Sequence, residues 1–147
     1  MEGFLLSFSA VSPEKVYAYK AADYYISDTS SDFIIRIGVS SEKLRQLHHG
    51  TGQNCSIYIT AFNPYGAEQN SVDNRSAHVE LEGHLRKISP YVFEGFGTDP
   101  AGIWAPEASF LALGIDLSTS KLLGKRFKQD AVVWVGADAV PQLIILR

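Results

Sequence analysis

The stretch Cys55-Ser-Ile-Tyr-Ile-Thr-Ala-Phe62, followed at once by Asn63-Pro64-Tyr65-Gly66, decides how the rest of the chain reads. Its residues are apolar or small at both odd and even positions, so neither face of a strand here is polar. That pattern suits a central strand covered on each side, not one with a face in water. The segment Asn63-Pro64-Tyr65-Gly66 then stops it, because Pro lacks a ladder donor while Asn and Gly accept turn conformations.

Working outward, the flanks supply the cover. Toward the N-terminus, Ser41-Glu42-Lys43-Leu44 opens a short helix through Leu47, with Gly50 as its terminator. Tyr24-Tyr25-Ile26 and Phe33-Ile34-Ile35-Arg36-Ile37 are β-rich, and the polar residues 27–32 between them make a hairpin. Ser12-Pro13-Glu14 starts a further helix that carries Val16, Tyr17 and Tyr19 and fades near Ala22. Toward the C-terminus, Ala77, Leu81, Leu85 and Ile88 recur at helical strides after Ser71. Tyr91-Val92-Phe93 reads as strand, residues 95–102 as a glycine-rich loop, and Ser109 to Gly114 as strand. Leu122, Leu123 and Phe127 mark another helix, capped by Asp116 or Ser118. Residues 131–135 and 143–146 form a closing hairpin around Gly136-Ala137-Asp138. The alternation predicts an α+β fold, one domain over residues 1–147, with a mixed β-sheet packed by three to four helices. It is not a Rossmann order, since several neighbouring strands have connections too short for a helix.

Composition narrows the function classes. Lys plus Arg is 13 and Asp plus Glu is 16, a net charge of −3, with 46% hydrophobic and 20% charged residues. This excludes a disordered chain and a strongly basic nucleic-acid module, so nucleic acid is not the expected partner. The single Cys55 excludes an intramolecular disulfide and a multi-cysteine zinc site, and its apolar neighbours suit a small buried hydrophobe. No run approaches the ~20 apolar residues of a membrane span. Residues 1–10 imitate a signal peptide, but Glu2 sits where a positive charge belongs and Ser7 breaks the apolar core. The expected location is cytoplasmic.

Three constellations carry chemistry. His78, Glu80, Glu82 and His84 would share one face of a strand and could hold a metal, but on a helix they split into two pairs. The spacing is not His-Glu-x-x-His, and no metal or cofactor is expected. Gly95-Phe-Gly97 could turn backbone N–H groups to an anion, yet it lacks a P-loop Lys. The third set is dispersed: Asn63 after the central strand, Asn74 and Arg75 at the next helix start, Trp104, Glu107 and Ser109 beyond the glycines, and Arg126 to Gln129 at the end of the last helix. Strand ends and helix starts gather on one rim in layered α/β structures, where ligands bind. Glu107 joins that rim only if its strand runs antiparallel.

On these grounds the expected function is binding or processing of a small nucleotide-like or phosphorylated ligand in a polar cleft. Arg75 and Arg126 would hold an anion, Asn63, Asn74 and Gln129 would read polar edges, Trp104 or Phe127 would stack on a ring, and Ser109 is a further ligand-binding candidate. Glu107 is the candidate general base, because burial tunes a carboxylate upward. The competing reading is a protein-interaction module, an inhibitor, immunity or regulatory protein, or a homodimer through sheet edges. A concave pocket lined by the polar set favours the ligand. A flat patch of Tyr24, Tyr25, Tyr58 or Tyr65, with the polar set bonded internally, favours the partner.

Several of these segments carry a resemblance. Ile59-Thr-Ala-Phe-Asn-Pro64, Asn74-Arg75, Glu80-Leu-Glu82, Gly95-Phe-Gly97, Trp104-Ala-Pro-Glu107, Ser109-Phe-Leu111 and residues 126–131 make the chain resemble an uncharacterised bacterial family, the domain of unknown function 3293. The likeness runs from Ala18 to about Leu146. Ala108 stands where the family more usually has Pro, and Ala22 where Thr is expected. The resemblance implies a prokaryotic or phage origin and a shared polar motif set, but no activity.

Overall fold

Ser12, Ser41, Asn70 and Asp116 each accept a hydrogen bond from a backbone N–H three residues on, and each begins a helix. Such capping is local chemistry, which makes the starts at Ser12, Ser41 and Asp116 readable, whereas the cap at Asn70 lies ahead of the start expected near Asn74. The computed structural model describes residues 9–147, so most of the signal-like stretch lies outside the described residues. The helices are α1 (Pro13–Ala21), α2 (Glu42–Thr51), α3 (Ser71–Ile88) and α4 (Leu117–Arg126). Gly50 does not end α2. The helix runs on to Thr51 and stops at Gly52, whose φ of 71° is the left-handed cap that glycine takes without strain.

Seven strands form one sheet: β1 (Asp23–Ile26), β2 (Phe33–Ile35), β3 (Ser56–Ile59), β4 (Val92–Thr98), β5 (Glu107–Leu113), β6 (Ala131–Val135) and β7 (Pro141–Ile145). Their spatial order is β2-β1-β4-β5-β3-β6-β7. The α+β architecture with four helices is as expected, and the sheet resolves into antiparallel pairs throughout. All four residues of β3 are buried, between β5 and β6, as its two apolar faces require. Only residues 56–59 of the apolar stretch join the ladder; Thr60, Ala61 and Phe62 carry the chain out of it. Gly95, Phe96 and Gly97 are not loop. They pair with β1 on one side and β5 on the other, so their N–H groups are not free for an anion.

Alternation along the strands sorts the core into two layers. On one face Ile57, Ile59, Phe110 and Val132 pack against Leu81 and Leu85 of α3 and Leu123 of α4. On the other, Tyr24, Tyr58, Leu111, Leu113 and Val133 pack with Leu44 of α2. Buried His48 of α2 is fastened to this second face by a hydrogen bond with Ser56 Oγ. The short helix α1 lies toward one end of that face, where Tyr24 Oη donates to the Tyr19 carbonyl at 2.6 Å. No helix among the described residues is long and apolar enough to cross a membrane.

Candidate functional site

Because β3 and β5 are antiparallel, the end of one lies beside the start of the other, which brings Asn63 to Glu107. Asn63 Nδ2 donates to Glu107 Oε2 at 2.8 Å. Asn63 sits at φ 49°, a left-handed conformation that asparagine tolerates better than most residues. Its Oδ1 accepts from the Gln69 backbone at 3.0 Å and from Asn74 Nδ2 at 3.0 Å, and its own N–H donates to Asn74 Oδ1 at 2.9 Å. Two asparagines thus lock the loop after β3 to the first turn of α3 and fix the amide that steadies Glu107.

Glu107 borders a cavity of about 530 Å³. The cavity opens on the second sheet face, walled by Tyr24 and Tyr58 from the strands, Tyr19 from α1 and Trp104 from the loop before β5. Gly97 lies beside these rings without being crowded by them, since a Cβ there would sit in ordinary contact, 3.7 Å from Tyr24 and 4.0 Å from Trp104. Gly95 is tighter: its Cβ would fall 2.0 Å from the Tyr25 carbonyl oxygen and 2.9 Å from Tyr58 Oη. Of the two glycines, only Gly95 shapes this wall through its missing side chain.

Burial lifts the Glu107 carboxyl above the usual carboxylate range, and the Asn63 hydrogen bond opposes part of that rise. Tyr19 is pushed up to about 12, chiefly by burial and then by the nearby Asp130 and Glu107 charges. Burial also raises Tyr24 and Tyr58, so both hydroxyls stay protonated. Chemically the site offers a proton-accepting or proton-donating carboxyl beside aromatic faces. Cys55 is not among the residues lining it; its thiol donates to the Ile115 carbonyl at 3.3 Å and is raised by burial.

The cavity brings together Asn63, Asn74, Trp104, Glu107, Ser109 and Gln129. Arg75 and Arg126 are not with them. Arg75 is exposed on α3, and Arg126 is exposed at the end of α4, in a separate groove with His84 and Leu122. Helical rotation carries both away from the rim that sequence order had put them on. Phe127 is in the core and cannot stack on a ligand. Gln129 Nε2 donates inward, to the carbonyls of Phe62 at 3.1 Å and Phe127 at 3.2 Å. The expected edge-reading amides are thus largely bonded to the protein. Tyr19, Tyr24 and Tyr58 were not read as site residues. A glycine inside a strand, as Gly95 is, is the signal of a close approach by another group, here Tyr58 and the β1 backbone.

The run 78–84 lies within α3, where Glu80 and His84 approach to 4.0 Å. His78 instead stacks on Phe110 with ring centroids 4.3 Å apart, and its Nδ1 is buried without a partner. Among the described residues no group of three or more His, Cys, Asp or Glu is placed to hold a metal ion.

Residues 59–132, just over half of the chain, match the family described as Protein of unknown function (DUF3293). The chain belongs to the DUF3293 family. The matched segment holds all six sequence-read residues that line the cavity, whereas Tyr19, Tyr24 and Tyr58 precede the DUF3293 span. No curated protein and no solved structure matches the chain.

Proposed function

We propose that the protein binds a small ring-bearing molecule in this cavity, with Glu107 as its polar contact and as acid or base in any reaction that follows. The observation that carries this is the division of the Glu107 carboxylate. Oε2 is held by Asn63, while Oε1 accepts no hydrogen bond from the described residues and the side chain borders the cavity. A partly buried carboxyl with an uncommitted oxygen suits a ligand contact or proton transfer. The volume of about 530 Å³ falls within the roughly 300–1,000 Å³ of small-molecule sites. Asn63, which lines the cavity, has a left-handed φ of 49°, and Tyr65 (55°) and Lys128 (56°), bonded to each other through their backbones, adjoin the lining residues Gly66 and Gln129. Such backbone strain clusters at functional sites.

Within the nucleotide-like class, the nucleoside part suits the cavity better than the phosphate. Arg75 and Arg126 are outside it, and Lys15 at its edge bonds Asp130 Oδ2 at 3.1 Å. The interaction-module reading has less support, because Tyr24 and Tyr58 are buried and form no external patch.

A thermal-shift panel of nucleosides, nucleotides and cyclic nucleotides tests the proposal. A ligand at ~100 times its Kd adds about 2.7 kcal/mol, several degrees for a chain of this size. The shift should vanish in Glu107→Gln and Trp104→Ala proteins that remain folded. A flat panel, or a shift that survives both substitutions, would defeat the proposal.

A further inference from the structure

The polar atoms around the cavity are committed unevenly. Its hydroxyls give their hydrogens to backbone carbonyls: Tyr24 to Tyr19 at 2.6 Å, Tyr58 to Tyr25 at 2.7 Å, Thr60 to Ala108 at 2.7 Å and Ser109 to Glu107 at 2.9 Å. The amides follow the same rule. Gln129 Nε2 donates to the Phe62 and Phe127 carbonyls, and Gln69 Nε2 donates to Asn74 Oδ1 at 3.2 Å. Apart from the second Gln69 N–H, what these groups leave over is oxygen lone pairs.

Charge points the same way. Glu107 and Glu68 both line the cavity. Lys15, the one cationic side chain lining it among the described residues, holds Asp130 Oδ2 at 3.1 Å and the Tyr65 carbonyl at 3.2 Å. Tyr19 and Trp104 retain donors, but neutral ones. An anion entering here would face carboxylates with no uncommitted counter-charge. A cation would give Glu107 the partner it lacks in a cavity lined by the aromatic residues Tyr19, Tyr24, Tyr58 and Trp104. Aromatic rings attract cations through their quadrupole, tryptophan most strongly.

From this pattern we infer that the cavity takes an organic cation, a flat amidinium- or guanidinium-type group that donates to Glu107 Oε1 and lies against an aromatic wall. The inference rests on the reading of the cavity as a ligand site, and it names the class of ligand. A planar fork of N–H donors matches a carboxylate in geometry as well as charge.

Three probes of one shape and different charge separate the possibilities: benzamidine (positive), benzamide (neutral) and benzoate (negative), each titrated calorimetrically into the whole protein. Benzamidine should bind, with benzamide roughly tenfold or more weaker and benzoate weaker still. Glu107→Gln should weaken benzamidine by about tenfold or more. That substitution keeps an oxygen for Asn63, and far-UV circular dichroism checks its fold. Trp104→Leu, on a surface loop, supplies a second variant and should also weaken benzamidine. If benzamide or benzoate binds as tightly as benzamidine, and does so in a Trp104-dependent way, the cation inference fails and the ligand site stands. If benzamidine binds equally well to both variants, or if no probe binds at millimolar concentration, the cation inference fails, and the nucleoside panel alone decides the ligand site.

Discussion

Glu107 is held by Asn63 through one oxygen while burial raises its pKa, and the combination has a consequence for stability. In the unfolded chain this carboxyl loses its proton near its ordinary value of 4.5, whereas in the fold it keeps the proton to higher pH. Its contribution to stability is therefore fully present below pH 4.5 and is lost as pH rises through the folded value. Glu107→Gln removes that loss while retaining an acceptor for Asn63. The variant should melt above the wild type at pH 7, with the gap closing toward pH 4, even as ligand binding disappears. Melting curves of both proteins across that range check the sign. A gap that widens toward acid would contradict the assignment. At this scale the sequence was a good guide to residue type: Asn63, Asn74, Trp104, Glu107, Ser109 and Gln129 all reach one cavity. It misjudged their roles, because whether an amide faces a ligand or a carbonyl depends on partners far along the chain.

The elements were legible wherever their signals are local. Capping residues marked three of the helix starts, helical periodicity marked α3, and two-sided apolarity marked β3 as central. Strand β4 was cut short because glycines read as loop. In the structure Gly95 and Gly97 extend it, and the two make different demands. A Cβ at 95 would overlap the Tyr25 carbonyl oxygen at 2.0 Å, whereas one at 97 would meet only ordinary contacts of 3.7 to 4.0 Å. Gly95→Ala should accordingly destabilise the protein by about 3 kcal/mol, as overpacking does when backbone must move. Gly97→Ala should stay within about 1 kcal/mol of wild type, because it strains nothing. Urea unfolding of the two variants reads both values. Equal costs would mean that Tyr58 and the β1 backbone do not crowd the sheet at Gly95.

Across the whole molecule, one buried carboxylate ties the two ends of the described chain to the rim of the cavity. Asp130 accepts from Lys15 of α1 at 3.1 Å and from Arg147 Nε at 2.6 Å, and the Arg147 guanidinium lies 4.2 Å from the centre of the Tyr65 ring. The Asp130 side chain is fully buried while that of Lys15 is 41% exposed. Asp130→Asn should then cost about 3 kcal/mol and speed hydrogen exchange through α1. Lys15→Met should cost under about 1 kcal/mol, because an exposed partner is replaced by water and Arg147 still holds the carboxylate. Chemical denaturation gives the two costs, and Lys15→Met matching Asp130→Asn would overturn the division. The α+β class, most helix starts, the central strand and six of the residues that line the cavity follow from the sequence by itself, since periodicity and capping act within a few residues. The antiparallel strand order, the aromatic walls and the exclusion of Arg75 and Arg126 were decided only by tertiary structure. They depend on which strands become neighbours and which way each helix faces, and these are set by packing between residues distant in the chain.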